Sequence, residues 1–164
     1  MTVPPISFDQ LVQQHRREIL AYLIRVLGNV HDAEDVCQDA LIRAYRSFDP
    51  VILNSNARAW LYRIATNSAL NALKRRRRAA AREVSLAALE RIPASVHDFD
   101  QRERLRRVAL AVDQLPPRQR AALMQRRFHD LSYEEIAVSL NCNATTARAH
   151  VYQAIKKLRQ AASQ

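Results

Sequence analysis

The chain has 164 residues, 48% hydrophobic, 26% charged and 6% aromatic, enough apolar material for one ordinary domain or two small helical ones and too much for a disordered tail. Gly28 is the only glycine against six prolines, which nearly excludes a Rossmann fold, a P-loop and most β-sandwiches, since these need glycine in tight turns. With 26 Lys and Arg against 16 Asp and Glu the net charge is +10, which points to a polyanionic partner, nucleic acid first.

Residues Met1 to Ser7 lack the basic and apolar regions of a signal peptide, and no window approaches the roughly 18 consecutive apolar residues of a membrane span. The expectation is a cytoplasmic protein with no membrane insertion. Ser7 and Gln10 fit a capping box that opens a first helix. Its apolar positions Phe8, Leu11, Val12, Ile19, Tyr22, Leu23 and Val26 keep helical spacing up to Gly28. A second helix is predicted from Asp32 to Phe48, with Ala33, Val36, Cys37, Ala40, Leu41, Ala44 and Tyr45 inward. Asp32, Asp35, Gln38 and Asp39 fall on its other face. Taken alone, this acid stripe reads as a solvated face favoured by the helix dipole, or as metal-holding carboxylates if it meets a cleft.

After a loop over 51–56, a third helix is predicted from Ala57 to Arg78, with Trp60, Leu61, Ile64, Ala65, Ser68, Ala72 and Leu73 inward. Arg63, Asn67, Asn71, Lys74 and Arg78 form its outward stripe, extended by the run Lys74 to Arg78. Cations neutralise phosphates and amides hydrogen-bond bases, so the stripe suits nucleic acid, although such a run is often only a solvated tail. From Ala79 to Arg104 periodicity is lost and Pro93 appears, which marks a linker, with a short helix near Leu86 to Arg91. The domains are therefore 1–78 and 105–164, joined by 79–104.

In the second half, helices are predicted from Arg102 to Gln114 and from Pro117 to His129, divided by Leu115-Pro116-Pro117. Ser132 and Glu135 open a short helix with Ile136, Ala137 and Leu140 inward. Asn141 to Asn143 breaks it, and Asn143 caps a last helix from Ala144 to Gln160. Short helix, three-residue turn and longer basic helix make a helix-turn-helix. Ala147, Val151, Ala154 and Leu158 pack inward, leaving Thr145, Thr146, Arg148, Ala149, Tyr152, Gln153 and Lys156 for a major groove. The fold class is all-α, two small helical domains on a linker, the second a helix-turn-helix.

Charge is unevenly placed: net −3 over 31–57, +8 over 58–82, −2 over 83–104 and +6 over 105–164. Cys37 and Cys142 form no CxxC pair and read as free thiols, and the five histidines show no ligand spacing. No metal and no cofactor are implied.

The motifs together resemble a bacterial sigma factor of the extracytoplasmic-function (ECF) group over nearly the whole chain. Residues 33–39, Ala-Glu-Asp-Val-Cys-Gln-Asp, resemble that family's polymerase-binding helix, and 59–67, Ala-Trp-Leu-Tyr-Arg-Ile-Ala-Thr-Asn, its minus-ten recognition helix. Leu115 to Arg120 and 131–137, Leu-Ser-Tyr-Glu-Glu-Ile-Ala, are similar to its upstream-element domain. The resemblance implies a non-enzymatic initiation factor with core RNA polymerase, promoter DNA and an anti-sigma factor as partners. Asp32, Asp35, Gln38 and Asp39 would meet polymerase. The loop with Asn54 and Asn56 would accept a flipped base, and Arg58, Arg63, Asn67, Lys74, Arg75 and Arg78 would follow the minus-ten DNA. The groove-facing residues of the last helix would meet the minus-thirty-five element. Asn141 and Thr145 stand where the family often has glycine, Asn71 where it has aspartate, and Ala149 and Gln153 where it has serine and arginine. The alternatives are a stand-alone helix-turn-helix regulator and, from the acid stripe, a metal-dependent nuclease.

Overall fold

The structure, a computed structural model, describes residues 6–50, 56–82 and 99–163. Among them are seven helices and no strand: α1 (Phe8–Leu27), α2 (Val30–Arg46), α3 (Ala57–Arg82), α4 (Phe99–Asp113), α5 (Pro117–Phe128), α6 (Tyr133–Leu140) and α7 (Ala144–Ser163). Asn54 and the short helix expected near Leu86 to Arg91 lie outside the described residues.

Local chemistry sets most helix ends. The Gln10 N–H donates to Ser7 Oγ at 3.2 Å and the Ser7 N–H to Gln10 Oε1 at 3.0 Å, so two groups left open by the start of α1 are satisfied reciprocally. Gly28 closes α1 at φ 72°, a left-handed conformation open to glycine at no steric cost, and its N–H bonds Ile24 O. Asn29 Oδ1 accepts from the Asp32 N–H at 3.1 Å, which starts α2 two residues earlier than expected. Asn143 caps α7 in the same way through the Thr146 N–H at 2.7 Å. Ser132 and Glu135 repeat the capping box at α6, and Asn141 ends that helix in the left-handed region at φ 51°. Helix α3 runs on from Arg78 to Arg82 because 79–82 are Ala-Ala-Ala-Arg, all strong helix formers. Helix α4 starts at Phe99 and α7 extends to Ser163, each three residues beyond the expected end.

Helices α1, α2 and α3 pack on one another, as do α5, α6 and α7, with α4 laid on α7. The two groups also pack together, α6 on α3 and α5 on α1, so that one apolar core continues from Leu11, Ile19 and Leu61 through Leu131, Ile136 and Leu140. Fully burying a side chain such as Ile136 or Leu131 contributes about 2 kcal/mol. Contact between the halves also explains a difference on α3. Leu61, Ala65 and Ser68 are buried as expected, but Tyr62, Thr66 and Ala69 on the adjoining strip are buried as well, where α5 and α6 of the second half pack on α3. Tyr45, expected inside, is 68% exposed: its ring lies edge-on to Phe8 at 5.3 Å, on the rim of α2.

Two polar clusters join the halves. Gln125 of α5 is fully buried. Its Nε2 donates to Tyr22 Oη at 2.8 Å and Thr66 Oγ1 at 3.1 Å, and its Oε1 accepts from Ser139 Oγ at 2.7 Å. The Tyr22 and Thr66 hydroxyls bond each other at 2.9 Å, and burial pushes the Tyr22 phenol up to about 12. In the second cluster Arg58 donates to Glu18 from Nε (3.1 Å) and Nη2 (2.8 Å), and Nη2 also reaches His129 O at 2.7 Å. Tyr62 Oη donates to Glu18 Oε2 at 3.0 Å, and His15 Nδ1 lies 2.5 Å from Glu18 Oε1. The His129 ring is buried against the Tyr22 and Tyr62 rings, with centroids 5.7 and 5.9 Å away.

These clusters make stability depend on pH. Burial lowers the His129 pKa below its ordinary 6.5, helped by the charges of Arg25 and Arg58 and opposed by those of Glu18 and Asp130. Burial tends to raise Glu18, but the hydrogen bonds from Arg58, His15 and Tyr62 and the Arg58 charge outweigh it and hold the carboxyl below 4.5. Both folded values lie below the unfolded ones, so both contributions are complete above the unfolded pKa and are lost as pH falls through the folded one. The unfolding temperature is expected to fall in two stages on acidification, beginning below about pH 6.5 for His129 and below about pH 4.5 for Glu18. Thermal melts against pH check this, with His129→Phe shrinking the first stage, to which His150, also lowered by burial and by the Arg118 charge, contributes as well. A flat profile from pH 7 to 5 in the wild type contradicts it.

Candidate functional site

The outward stripe of α3 is where the amide and cation pattern placed it. Arg63, Asn67, Asn71, Lys74 and Arg78 are all exposed. Asn67, Asn71 and Lys74 line one wall of a cleft of about 860 Å³, whose other wall holds Pro117, Arg118 and His150 from α5 and α7. Other residues assigned to the same DNA are engaged elsewhere. Arg58 is tied to Glu18 and to His129 O, between the halves. Asn56 Oδ1 accepts from the Ala59 N–H at 3.1 Å and caps the start of α3. Arg75 is exposed beside Asp32 and Asp35, around the helix from Asn71 and Lys74.

Arg76 has a structural role that its place in the basic run concealed. Its Nη1 donates to Leu27 O at 3.1 Å, satisfying a carbonyl at the end of α1, and its Nη2 pairs with Asp32. Arg120 does the same from the second half, with Nε donating to Arg25 O at 2.9 Å.

On α2, Asp35, Gln38 and Asp39 are exposed, whereas Asp32 is drawn to Arg76. The acids spread along one exposed face, and among the described residues no three His, Cys, Asp or Glu side chains gather to hold a metal. Asp35 and Gln38 instead rim a groove of about 640 Å³ between α1 and α2, floored by Leu20 and Leu41 and flanked by Ile42 and Tyr45. Ile42 is 44% and Tyr45 68% exposed. Acids beside exposed apolar side chains suit a partner protein that is basic at the rim and apolar at the centre. The apolar half of this surface went unnoticed in the sequence, where Leu41 and Tyr45 read as core.

On α7, Thr145, Arg148, Ala149, Tyr152, Gln153 and Lys156 are exposed along one face, with Thr146 half-buried at the capped start. Ala147, Val151 and Ala154 are buried on the other side. The exposed face carries two cations and no acid, as a helix entering a major groove requires. The Arg148 guanidinium lies 4.9 Å from the centroid of the Tyr133 ring, on α6.

Comparison with known proteins covers both halves. Residues 11–79 match the family described as Sigma-70 region 2 and residues 105–158 the family described as Sigma-70, region 4. The RNA polymerase sigma-H factor of Pseudomonas aeruginosa is 35% identical over 158 residues, 90% of this chain and 82% of that protein. The ECF RNA polymerase sigma factor SigE of Mycolicibacterium smegmatis is 34% identical over 164 aligned residues, which span 93% of this chain but only 60% of that relative. Among solved structures, the sigma factor RpoE of Bartonella quintana, in complex with the anti-sigma factor NepR, superimposes with a TM-score of 0.69 at 25% identity, covering 94% of this chain and 95% of that one.

Proposed function

The chain belongs to the ECF RNA polymerase sigma factors, and on that premise we propose that it binds core RNA polymerase and directs it to promoters without catalysing a reaction itself. One observation carries the reading: a single chain exposes an amide-and-cation stripe on α3, a helix-turn-helix face on α7 and an acid-rimmed apolar groove on α2. Asp35, Gln38 and Asp39 with Ile42 and Tyr45 meet the polymerase. Arg63, Asn67, Asn71, Lys74 and Arg78 follow the non-template strand at the minus-ten element, and the α7 face enters the groove at the minus-thirty-five element. Capturing an unstacked base offsets an unstacking cost of a few kcal/mol with stacking and hydrogen bonds of about 1–3 kcal/mol per base.

Geometry adds a requirement. The two promoter elements lie about 25 base pairs apart, about 85 Å at 3.4 Å per step. Here α3 and α7 share α6 as a neighbour, so both elements cannot be held at once. The packed halves are a resting arrangement, and engagement of polymerase separates them. In the cytoplasm, where polymerase works, an anti-sigma protein favouring the packed state would keep the chain inactive.

Binding of promoter DNA to the free chain and to its polymerase complex tests the reading. The free chain is expected to bind weakly and with little sequence preference, the complex tightly and specifically. Tight, specific binding by the free chain favours the stand-alone regulator instead.

A further inference from the structure

We propose that Tyr133 is a positioning residue for promoter recognition: its ring holds the Arg148 guanidinium so that Arg148 reads a guanine in the upstream element. This rests on the α7 face meeting DNA. Arg148 is the only arginine among the seven residues assigned to that face, and only arginine offers a planar fork of donors matching guanine O6 and N7. An exposed arginine on a flexible stem samples many directions. With its guanidinium carbon over the Tyr133 ring, 4.9 Å from the centroid, the exposed side chain is held to one direction by the ring. The ring is itself fixed. Tyr133 is half-buried in the first position of α6, where the Ser132–Glu135 capping box pins the backbone. Arg126 also lies 4.9 Å from the ring centroid, anchored by its Nη1 hydrogen bond to Leu131 O at 3.1 Å. The Tyr133 ring thus makes Arg148 the pre-organised reader of the face.

The test is transcription by core polymerase with the full chain on promoters whose upstream element is randomised, alongside the ¹H–¹⁵N spectrum of the free chain. The wild type is expected to prefer guanine at one upstream position by about tenfold. Arg148→Ala abolishes that preference, Tyr133→Leu reduces it by about three- to fivefold, and Tyr133→Phe, which keeps the π face, preserves it. Preference within the minus-ten element stays unchanged in all three. In the free chain the Arg148 side-chain N–H resonance is shifted upfield by the ring current, in the wild type and Tyr133→Phe but not in Tyr133→Leu. That shift is measurable on the wild type alone, so its absence overturns the proposal even if Tyr133→Leu fails to fold. Lower overall activity in Tyr133→Leu with the guanine preference intact overturns it too, since the ring would then serve only the fold. A guanine preference surviving Arg148→Ala has the same effect. If no upstream base matters but transcription still needs the chain, the positioning role fails and the sigma reading stands; if the chain supports no transcription, both fail.

Discussion

Replacing Gln125 with leucine is expected to lower the unfolding temperature by about 6–12 °C and to let the two halves part. The side chain is fully buried and makes three hydrogen bonds, to Tyr22, Thr66 and Ser139, which come from three other helices. Leucine fills a similar volume but offers neither donor nor acceptor. Ser139 then loses its acceptor, and the Tyr22 and Thr66 oxygens each lose the N–H that Gln125 donates to them. Each buried group left unsatisfied costs about 1–3 kcal/mol, so a loss of about 3 kcal/mol follows. It falls on the contact between halves, so small-angle scattering should record a larger radius of gyration. At limiting polymerase a larger share of the variant should be captured, since less free energy opposes opening. An unchanged unfolding temperature and radius of gyration would show that Gln125 does not hold the halves together.

The double change Asp35→Arg, Asp39→Arg is expected to weaken binding to core polymerase about 100-fold, because placing like charges across an interface costs several kcal/mol. Both side chains are exposed on α2, so the unfolding temperature should stay within a degree or two. The effect should appear mainly in the association rate and shrink at high salt, as for exposed charges. An affinity equal to wild type would remove the acid face of α2 from the polymerase contact. DNA cleavage that needs both acids would point to the nuclease alternative.

Helix existence and most helix ends were legible in the sequence because the chemistry that sets them is local. Ser7 with Gln10, Gly28, Asn143, Ser132 with Glu135 and Pro117 each act within a turn of their own position. The exposed faces of α3 and α7 were equally legible, since periodicity sorts side chains around a helix. The partners of a face are a different matter. Thr66 and Gln125 are 59 residues apart and look like ordinary polar residues until α3 and α5 meet. The family resemblance assigns Arg58 to the minus-ten DNA, but the Glu18 carboxylate 40 positions earlier pairs with it in the structure. Arg76 and Arg75 are adjacent in the same run and both exposed, and only the end of α1 and Asp32 give Arg76 its structural role. Tyr45 meets the inward period of α2, but its ring stands 68% exposed at the edge of the α1–α2 contact, edge-on to Phe8.

On the proposed function, this chain makes core polymerase initiate at chosen promoters. Run-off transcription with purified core polymerase on a pool of randomised promoters measures that most directly. The expected result is initiation that depends on the added chain and enriches templates sharing two separated elements, with the enrichment at the downstream element lost in Asn67→Ala, Lys74→Ala. Initiation no greater than with core polymerase alone, with the chain shown to be folded, would contradict the account.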